Sequence, residues 1–579
     1  MNPLRALIAR GRRRALRIYY DEAYRLPVTG NEGAPASLEG RRSDDALHYL
    51  LREHAVDPAN VVNPPLASYE ELSIVHTAEY LESLHEAATL ANIFAVDQSE
   101  VYVDQLFRAL RLAVGGTIAA ARWTLEHRRP AMNLLGGFHH AAPSRGAGFC
   151  ALNDMAIAIG QLRREGFTGR AAVLDFDFHP SDGTSECLGR DPRVWLGSVS
   201  GTSWGPLEGV DETVLPNGAG DEPYLDAVRK LLGRMPKVDL AFVLAGGDVL
   251  SGDRLGTLKL SLVGTRHRDL LVAERLGSLP QVWLPAGGYS HHAWKVVAGS
   301  GLVLAFGSEE PIPGDYDPLA ARMRGIMRTL RTESLGNESF LSDADVAEAL
   351  GMPRAGPPKL LGYYTAEGVE YALERYRLLP LLRRLGFDNL RSVIDKQGQY
   401  DRARLFGRDT TTGREHVLIE LELERRRLGP GTYLFVNWLS LRNPRARFSA
   451  FRPQLPGQEV PGLGLAREMA QILGLMAQRL LLDGVAFRPS WYHMAFAARH
   501  TGRFLDPARQ GRFLALVRDT KDRPLLEMTR AVAEGRVKLN GQPYAWEADE
   551  MVAPLRSEVD PKVEEAVDAE MARCQYTVA

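Results

Sequence analysis

At 579 residues, with 45% hydrophobic and 25% charged residues, the chain has the composition of an ordinary globular protein of more than one domain. A net charge of −2 argues against nucleic acid as a direct partner, and no apolar run reaches transmembrane length. Three widely spaced cysteines, Cys150, Cys187 and Cys574, give neither a disulfide framework nor a cysteine-based zinc motif, so a reducing cytoplasm is the expected compartment.

Met1 to Arg17 reads as a basic arm. Arg5 and Arg10 break its apolar residues, so it lacks a signal-peptide core. A strand is predicted at Leu16–Tyr20, then helices at Ser43–Glu53 and Ala78–Ala88. Val101–His127 reads as a long Ala-rich helix interrupted at Gly115-Gly116. Met132–Leu135 is a short strand, and Asn153–Glu165 a helix with Asn153 as its cap. Ala171–Phe178, Val194–Val199, Leu240–Leu244 and Val282–Leu284 are apolar runs of buried-strand type. Helices at Tyr224–Leu232 and Ala293–Phe306 fall between or after them. The alternation predicts an α/β unit, a parallel sheet flanked by helices, over residues 1–331.

A linker is expected over 332–358, where Pro353, Gly356, Pro357 and Pro358 cluster. Residues 359–579 read as an α+β domain. Thr365–Leu385 looks helical, and Val417–Arg425 alternates Ile419, Leu421 and Leu423 with Glu420, Glu422 and Glu424, as a half-exposed antiparallel strand does. Tyr433–Leu441 and Gly484–Phe487 are further strands. Gly464–Leu482, His493–His500 and Gln510–Arg518 are helical.

Four strands of the first unit end alike. Gly136-Gly137-Phe138 leads to His139 and His140; Leu174 leads to Asp175, Asp177 and His179; Gly246-Gly247 leads to Asp248; Gly287-Gly288 leads to Tyr289. Ligands of parallel sheets bind at the carboxyl ends of strands, so these side chains are expected to converge. Asp177 and His179 are two apart and share a face of an extended chain. Taken alone, the pair is half of a metal site or a plain Asp–His hydrogen bond. With Asp248 the set offers one nitrogen and at least two oxygens, with room for water and substrate. Asp175 and Asp182 can orient the two imidazoles, and Tyr289 is a neutral donor for an oxyanion. The parts suit metal-assisted amide hydrolysis.

From residue 16 to about 315 the chain resembles the zinc-dependent histone deacetylases, of the arginase–deacetylase fold. The resemblance runs through Tyr20-Asp21, Arg41-Arg42-Ser43-Asp44-Asp45, Val75-His76-Thr77, Gly136 to His140, Gly148 to Asp154, Asp175 to His179, Asp182-Gly183-Thr184, Gly247-Asp248, Gly252-Asp253 and Gly287-Gly288-Tyr289. It implies a zinc held by Asp177, His179 and Asp248. His140 with Asp182 would be the principal general base and acid, and His139 with Asp175 its electrostatic partner. Tyr289 would polarise the acyl carbonyl. Gly148 and Phe149 would line the acyl tunnel, with Gly288 a further substrate-binding position and Trp204 or Leu207 the opposite wall. A structural monovalent cation, K+, would sit near Asp175, Asp177, His179 and Ser198, and Asp97 stands for the rim aspartate.

Pro180-Ser181 depart from the family's usual residues after the histidine ligand; zinc binding is expected to survive, because the proline follows the ligand. The spacing of Asp177, Asp182, Asp248 and Asp253 favours one metal over an arginase-type pair. His76 and His48 are expected to be ordinary helix or turn residues, and His291-His292 to start a helix near the rim.

The resemblance thus implies a cytoplasmic zinc amidohydrolase acting on acyl-lysine in protein or an acetylated small amine. The alternatives are a non-hydrolytic acyl-amine binding module, or a bifunctional chain whose C-terminal half is an acyl-CoA-dependent transferase. Gln458 to Gly464, a glycine turn before a helix, motivates the last and is also readable as a structural turn. Pro489 to His493 and Arg499-His500 form a polar–aromatic cluster of packing type. Oligomerisation is left open.

Overall fold

A computed structural model describes residues 14–26, 40–336, 358–449, 452–556 and 560–578. Most of the basic arm and of the linker lie outside the described residues. The chain divides into two compact units, Met1–Pro318 and Leu319–Ala579. Among the described residues no helix is long and apolar enough to cross a membrane.

Eight strands form the sheet of the first unit: β1 (Arg17–Tyr19), β2 (Val61–Val62), β3 (Ala131–Asn133), β4 (Ala171–Asp175), β5 (Val194–Ser200), β6 (Val210–Val214), β7 (Leu240–Leu244) and β8 (Gln281–Leu284). Their order is β2-β1-β3-β8-β7-β4-β5-β6, and every neighbouring pair is parallel. Each parallel step needs a crossover, and helices such as Asp154–Arg164, Asp221–Arg234 and Leu262–Leu276 supply them. The central strands β4 and β7 are buried at every residue, which is why they read as unbroken apolar runs. The order places β3, β8, β7 and β4 side by side, and these are the four strands whose ends carry the polar residues.

The helix Val103–His127 runs unbroken through Gly115-Gly116, contrary to the expected interruption. A Cβ on Gly115 would lie 1.9 Å from the Pro65 carbonyl oxygen, and one on Gly116 would lie 2.8 Å from the Tyr24 hydroxyl. The glycines serve close approach of neighbouring chain rather than a break. The expected helix Ala78–Ala88 is two, Ala78–Ser83 and Ala87–Phe94, because hydrogen bonding tightens to i→i−3 at His85 and Glu86 while the apolar pattern continues. Strand β4 stops at Asp175, so Asp177 and His179 belong to the turn beyond it rather than to the strand.

The second unit is α+β. Its seven-stranded sheet runs Arg503–Phe504, Met551–Pro554, β13 (Gly484–Phe487), β12 (Gly431–Leu441), β11 (Glu415–Leu428), β10 (Tyr400–Asp409) and β9 (Phe387–Gln397). β9 to β12 are antiparallel neighbours, and β12 and β13 are parallel. In β11, Ile419, Leu421 and Leu423 are buried, as the alternation predicted. β9 and β10 escaped the sequence reading because their outer face is ionic, Arg404 bonding Asp395 at 2.5 Å and Arg402 bonding Glu422 at 3.1 Å. Tyr492 is buried against Phe496, Phe513 and Trp546, so the polar–aromatic cluster is packing.

Two predictions follow from these contacts. On helix propensity alone, Gly115→Ala would stabilise by about 1 kcal/mol; the contact with Pro65 predicts instead a loss of about 1–3 kcal/mol in urea unfolding. A gain would contradict the packing role. His76 is buried, and its Nε2 accepts the Asn153 N–H at 3.0 Å. Burial pushes its pKa down to about 4. The unfolded chain therefore takes up the proton first, and stability that is full above about pH 6.5 falls towards pH 4, by at most about 1.4 kcal/mol per pH unit. A His76→Gln variant should lose that part of the acid dependence; an unchanged slope would contradict it.

Candidate active site

The ends of β4 and β7 bring Asp177, His179 and Asp248 together. His179 Nδ1 lies 3.1 Å from Asp177 Oδ1 and 3.1 Å from Asp248 Oδ2. One nitrogen and two carboxylate oxygens all fall within 4.8 Å of one another, the only such grouping among the described residues. Both carboxylates are buried. Backbone N–H groups hold them: Gly287 donates to Asp177 Oδ2 at 2.6 Å, and Phe178 donates to Asp248 Oδ1 at 3.0 Å. A Cβ on Gly287 would come within 2.4 Å of Asp248 Oδ2 and 2.5 Å of Asp177 Oδ2, so that position has no room for a side chain.

Burial and the neighbouring charge push the Asp248 carboxyl up. Asp177, although burial works against it, is held well below the carboxylate range by His139 and the His179 bond. Two buried carboxylates with one imidazole form a donor set that a divalent cation fits, because the ion removes their repulsion and compensates their desolvation.

Beside the triad stand two histidine–carboxylate pairs. His139 Nδ1 meets Asp175 Oδ2 at 2.8 Å, and His140 Nδ1 meets Asp182 Oδ1 at 2.6 Å. The residues Pro180-Ser181 thus leave Asp182 in contact with its histidine. Burial opposes charge on His139, but Asp175 and Asp177 outweigh it and raise the imidazole to about 9. Burial and then the His139 charge push His140 down, against the pull of Asp182. Tyr289 is buried, and burial with Asp177 and Asp248 raises its phenol well above the usual value.

Phe149 lies 5.4 Å from the Tyr289 ring, centroid to centroid. The Trp204 ring, 58% exposed, stacks on His140 at 5.1 Å. Gly148, at φ +53°, backs onto His140, where a Cβ would meet Cδ2 at 2.5 Å. Gly288 lies on the turn between Gly287 and Tyr289, and its carbonyl faces Arg42 Nη1 at 3.4 Å. Ser198 is fully buried, and its Oγ has no hydrogen-bond partner among the described residues, an orphan that a cation beside Asp175 would satisfy. Asp97 Oδ1 accepts the Ser99 N–H and hydroxyl at 2.9 and 2.6 Å, capping a short turn. His291 and His292 are exposed and lead into the helix Ala293–Phe306.

Several supporting residues were not singled out from sequence. Arg268 is fully buried; its Nε donates to Asp269 Oδ1 and its Nη1 to the Gly246 carbonyl, both at 2.8 Å, and Ser300 donates to Asp269 Oδ2 at 2.6 Å. Arg42 donates to the carbonyls of Gly287 and Ala286 at 2.8 and 2.7 Å. Asp253 Oδ2 accepts the N–H groups of Tyr289 and Ser290 at 2.8 and 2.9 Å. Asp154 accepts from Gly137, Phe138 and Thr117, fixing the turn before His139. Arg268 had no local signal, since it sits in a helix rich in charged residues, and the motifs already carried Arg42, Asp154 and Asp253.

Residues 38–301 match the family described as the histone deacetylase domain. The chain is 32% identical over 299 residues to "Histone deacetylase 2" of Arabidopsis thaliana, covering 49% of this chain and 77% of that protein. It is 33% identical over 299 residues to a "Probable deacetylase" of Archaeoglobus fulgidus, covering 48% and 82%. A crystal structure of an HDAC homolog from Aquifex aeolicus aligns with a TM-score of 0.44 and 24% identity over 52% of this chain and 86% of that one.

Arg268→Met should release the Gly246 carbonyl and loosen the turn that carries Asp248, weakening divalent-metal binding about 10- to 100-fold in chelator competition. Unchanged affinity would show that Arg268 serves only the core.

Proposed function

The chain belongs to the histone deacetylase family, and from that premise we propose that its first unit is a zinc-dependent amidohydrolase removing acetyl or another acyl group from an amine. The observation that carries the reading is the grouping of two histidine–carboxylate pairs beside the Asp177–His179–Asp248 set. A binding module without hydrolysis would have no use for either pair.

Asp177, His179 and Asp248 would hold the metal, which when bound supplies a Lewis acid and lowers the pKa of water to about 7. His140, kept neutral by burial and by the charge on His139, takes the proton of the attacking water at Nε2. Asp182 on Nδ1 sets that tautomer and steadies the imidazolium. His139, held cationic by Asp175 and Asp177, offsets the negative charge that develops nearby. Tyr289 stays protonated and donates to the oxyanion as the carbonyl becomes tetrahedral. His140 then gives its proton to the departing amine.

Gly148, Phe149, Gly288 and Trp204 would bound the acyl chain, and Ser198 with Asp175 would hold a structural K+. The substrate class is an acylated amine, acyl-lysine in protein or an acetylated polyamine. A reducing compartment such as the cytoplasm is consistent with three free cysteines.

The test is a panel of acyl-lysine peptides and acetylpolyamines, run with metal-loaded wild type and Tyr289→Phe. The variant should lose about 10²- to 10³-fold in kcat. Equal turnover would refute the oxyanion role, and no turnover of either class by wild type would refute the hydrolase.

A further inference from the structure

The second unit contains a cavity between one face of strands β9 to β11 and the helices Ala366–Arg375 and Ala466–Arg479. Its walls are apolar and adaptable, with Leu405, Ile419, Met469 and Met476 among them. Five polar side chains interrupt them: Tyr364, Tyr376, Ser392, Arg479 and Arg404, the last paired with Asp395 at 2.5 Å. Tyr364 and Tyr376 are each 5% exposed. Ser392 Oγ is buried without a hydrogen-bond partner among the described residues. Arg479 donates one bond, from Nη2 to the Met327 carbonyl at 3.2 Å. Burial raises both phenols, and the Arg479 charge pulls each back down.

A buried hydroxyl ordinarily finds a partner, so the Ser392 orphan and two phenols around one apolar space call for a polar group on the ligand. A dry hydrocarbon would leave Ser392 unmatched. With Arg404 paired to Asp395, Arg479 is the cation of the lining that suits one negative charge, and the phenols are donors. We propose that the cavity binds a single-chain aliphatic carboxylate. Its head would rest on Arg479, Tyr364 and Tyr376, and its tail would lie along Met469, Met476, Ile419 and Leu405. The inference rests on residues of Leu319–Ala579 only and does not depend on the hydrolase reading.

The experiment is calorimetric titration of the full chain with decanoate and with 1-decanol, repeated on Arg479→Gln and Tyr376→Phe after circular dichroism confirms folding. Wild type should bind decanoate saturably and more tightly than the alcohol. Arg479→Gln should weaken decanoate by about tenfold or more and leave the alcohol unchanged. Tyr376→Phe, a small change that keeps the ring, should weaken decanoate several-fold and decides the matter if Arg479→Gln fails to fold. The proposal is overturned if decanoate and its shorter and longer homologues do not bind saturably. It is also overturned if the alcohol binds as tightly as the acid, or if decanoate affinity is the same in the variants as in wild type.

Discussion

Two carboxylates and an imidazole occupy one buried spot, and the surrounding turns are built to tolerate it. Asp177 and Asp248 come from the turns beyond two separate strands, and each meets His179 at 3.1 Å. Unpaired buried charge is costly, and the N–H groups of Gly287, Phe178 and His179 donate to these carboxylates. Gly246 and Gly287, at the ends of β7 and β8, follow from the same constraint, because a carboxylate oxygen would touch a side chain at either position. Arg42 and Arg268 extend it outwards by tying the carbonyls of those glycine turns from behind. The parallel sheet enters as the device that brings four such ends to one edge.

Two adjacent histidines with the same kind of partner are pushed in opposite directions. His139 faces two buried carboxylates and is raised, whereas His140 has one partly exposed carboxylate and a cationic neighbour and is lowered. Environment alone thus drives two adjacent imidazoles apart. The same logic keeps Tyr289 a phenol, since the carboxylates that favour a cation disfavour a phenolate beside them.

The strand ends were legible because they combine glycine, which signals a tight exit, with side chains that no apolar strand carries without reason. The convergence of Asp177, His179 and Asp248 followed from the sheet rule without any knowledge of distances. What stayed hidden was hidden for particular reasons. Gly115-Gly116 reads as a break because propensity knows nothing of the Pro65 carbonyl packed against it. β9 and β10 were missed because cross-strand ion pairs, invisible in one dimension, neutralise their charges. Arg268 looked like helix surface until its partners Asp269 and Gly246 came into view. The cavity of the second unit joins residues from three strands and several helices, so no local pattern marks it.

The most direct test of the account is anomalous diffraction from crystals of the zinc-loaded chain, recorded at the zinc edge. One strong peak is predicted, at about 2.0–2.2 Å from His179 Nδ1 and from an oxygen of each of Asp177 and Asp248. No peak there, or zinc held elsewhere in the chain, would contradict it.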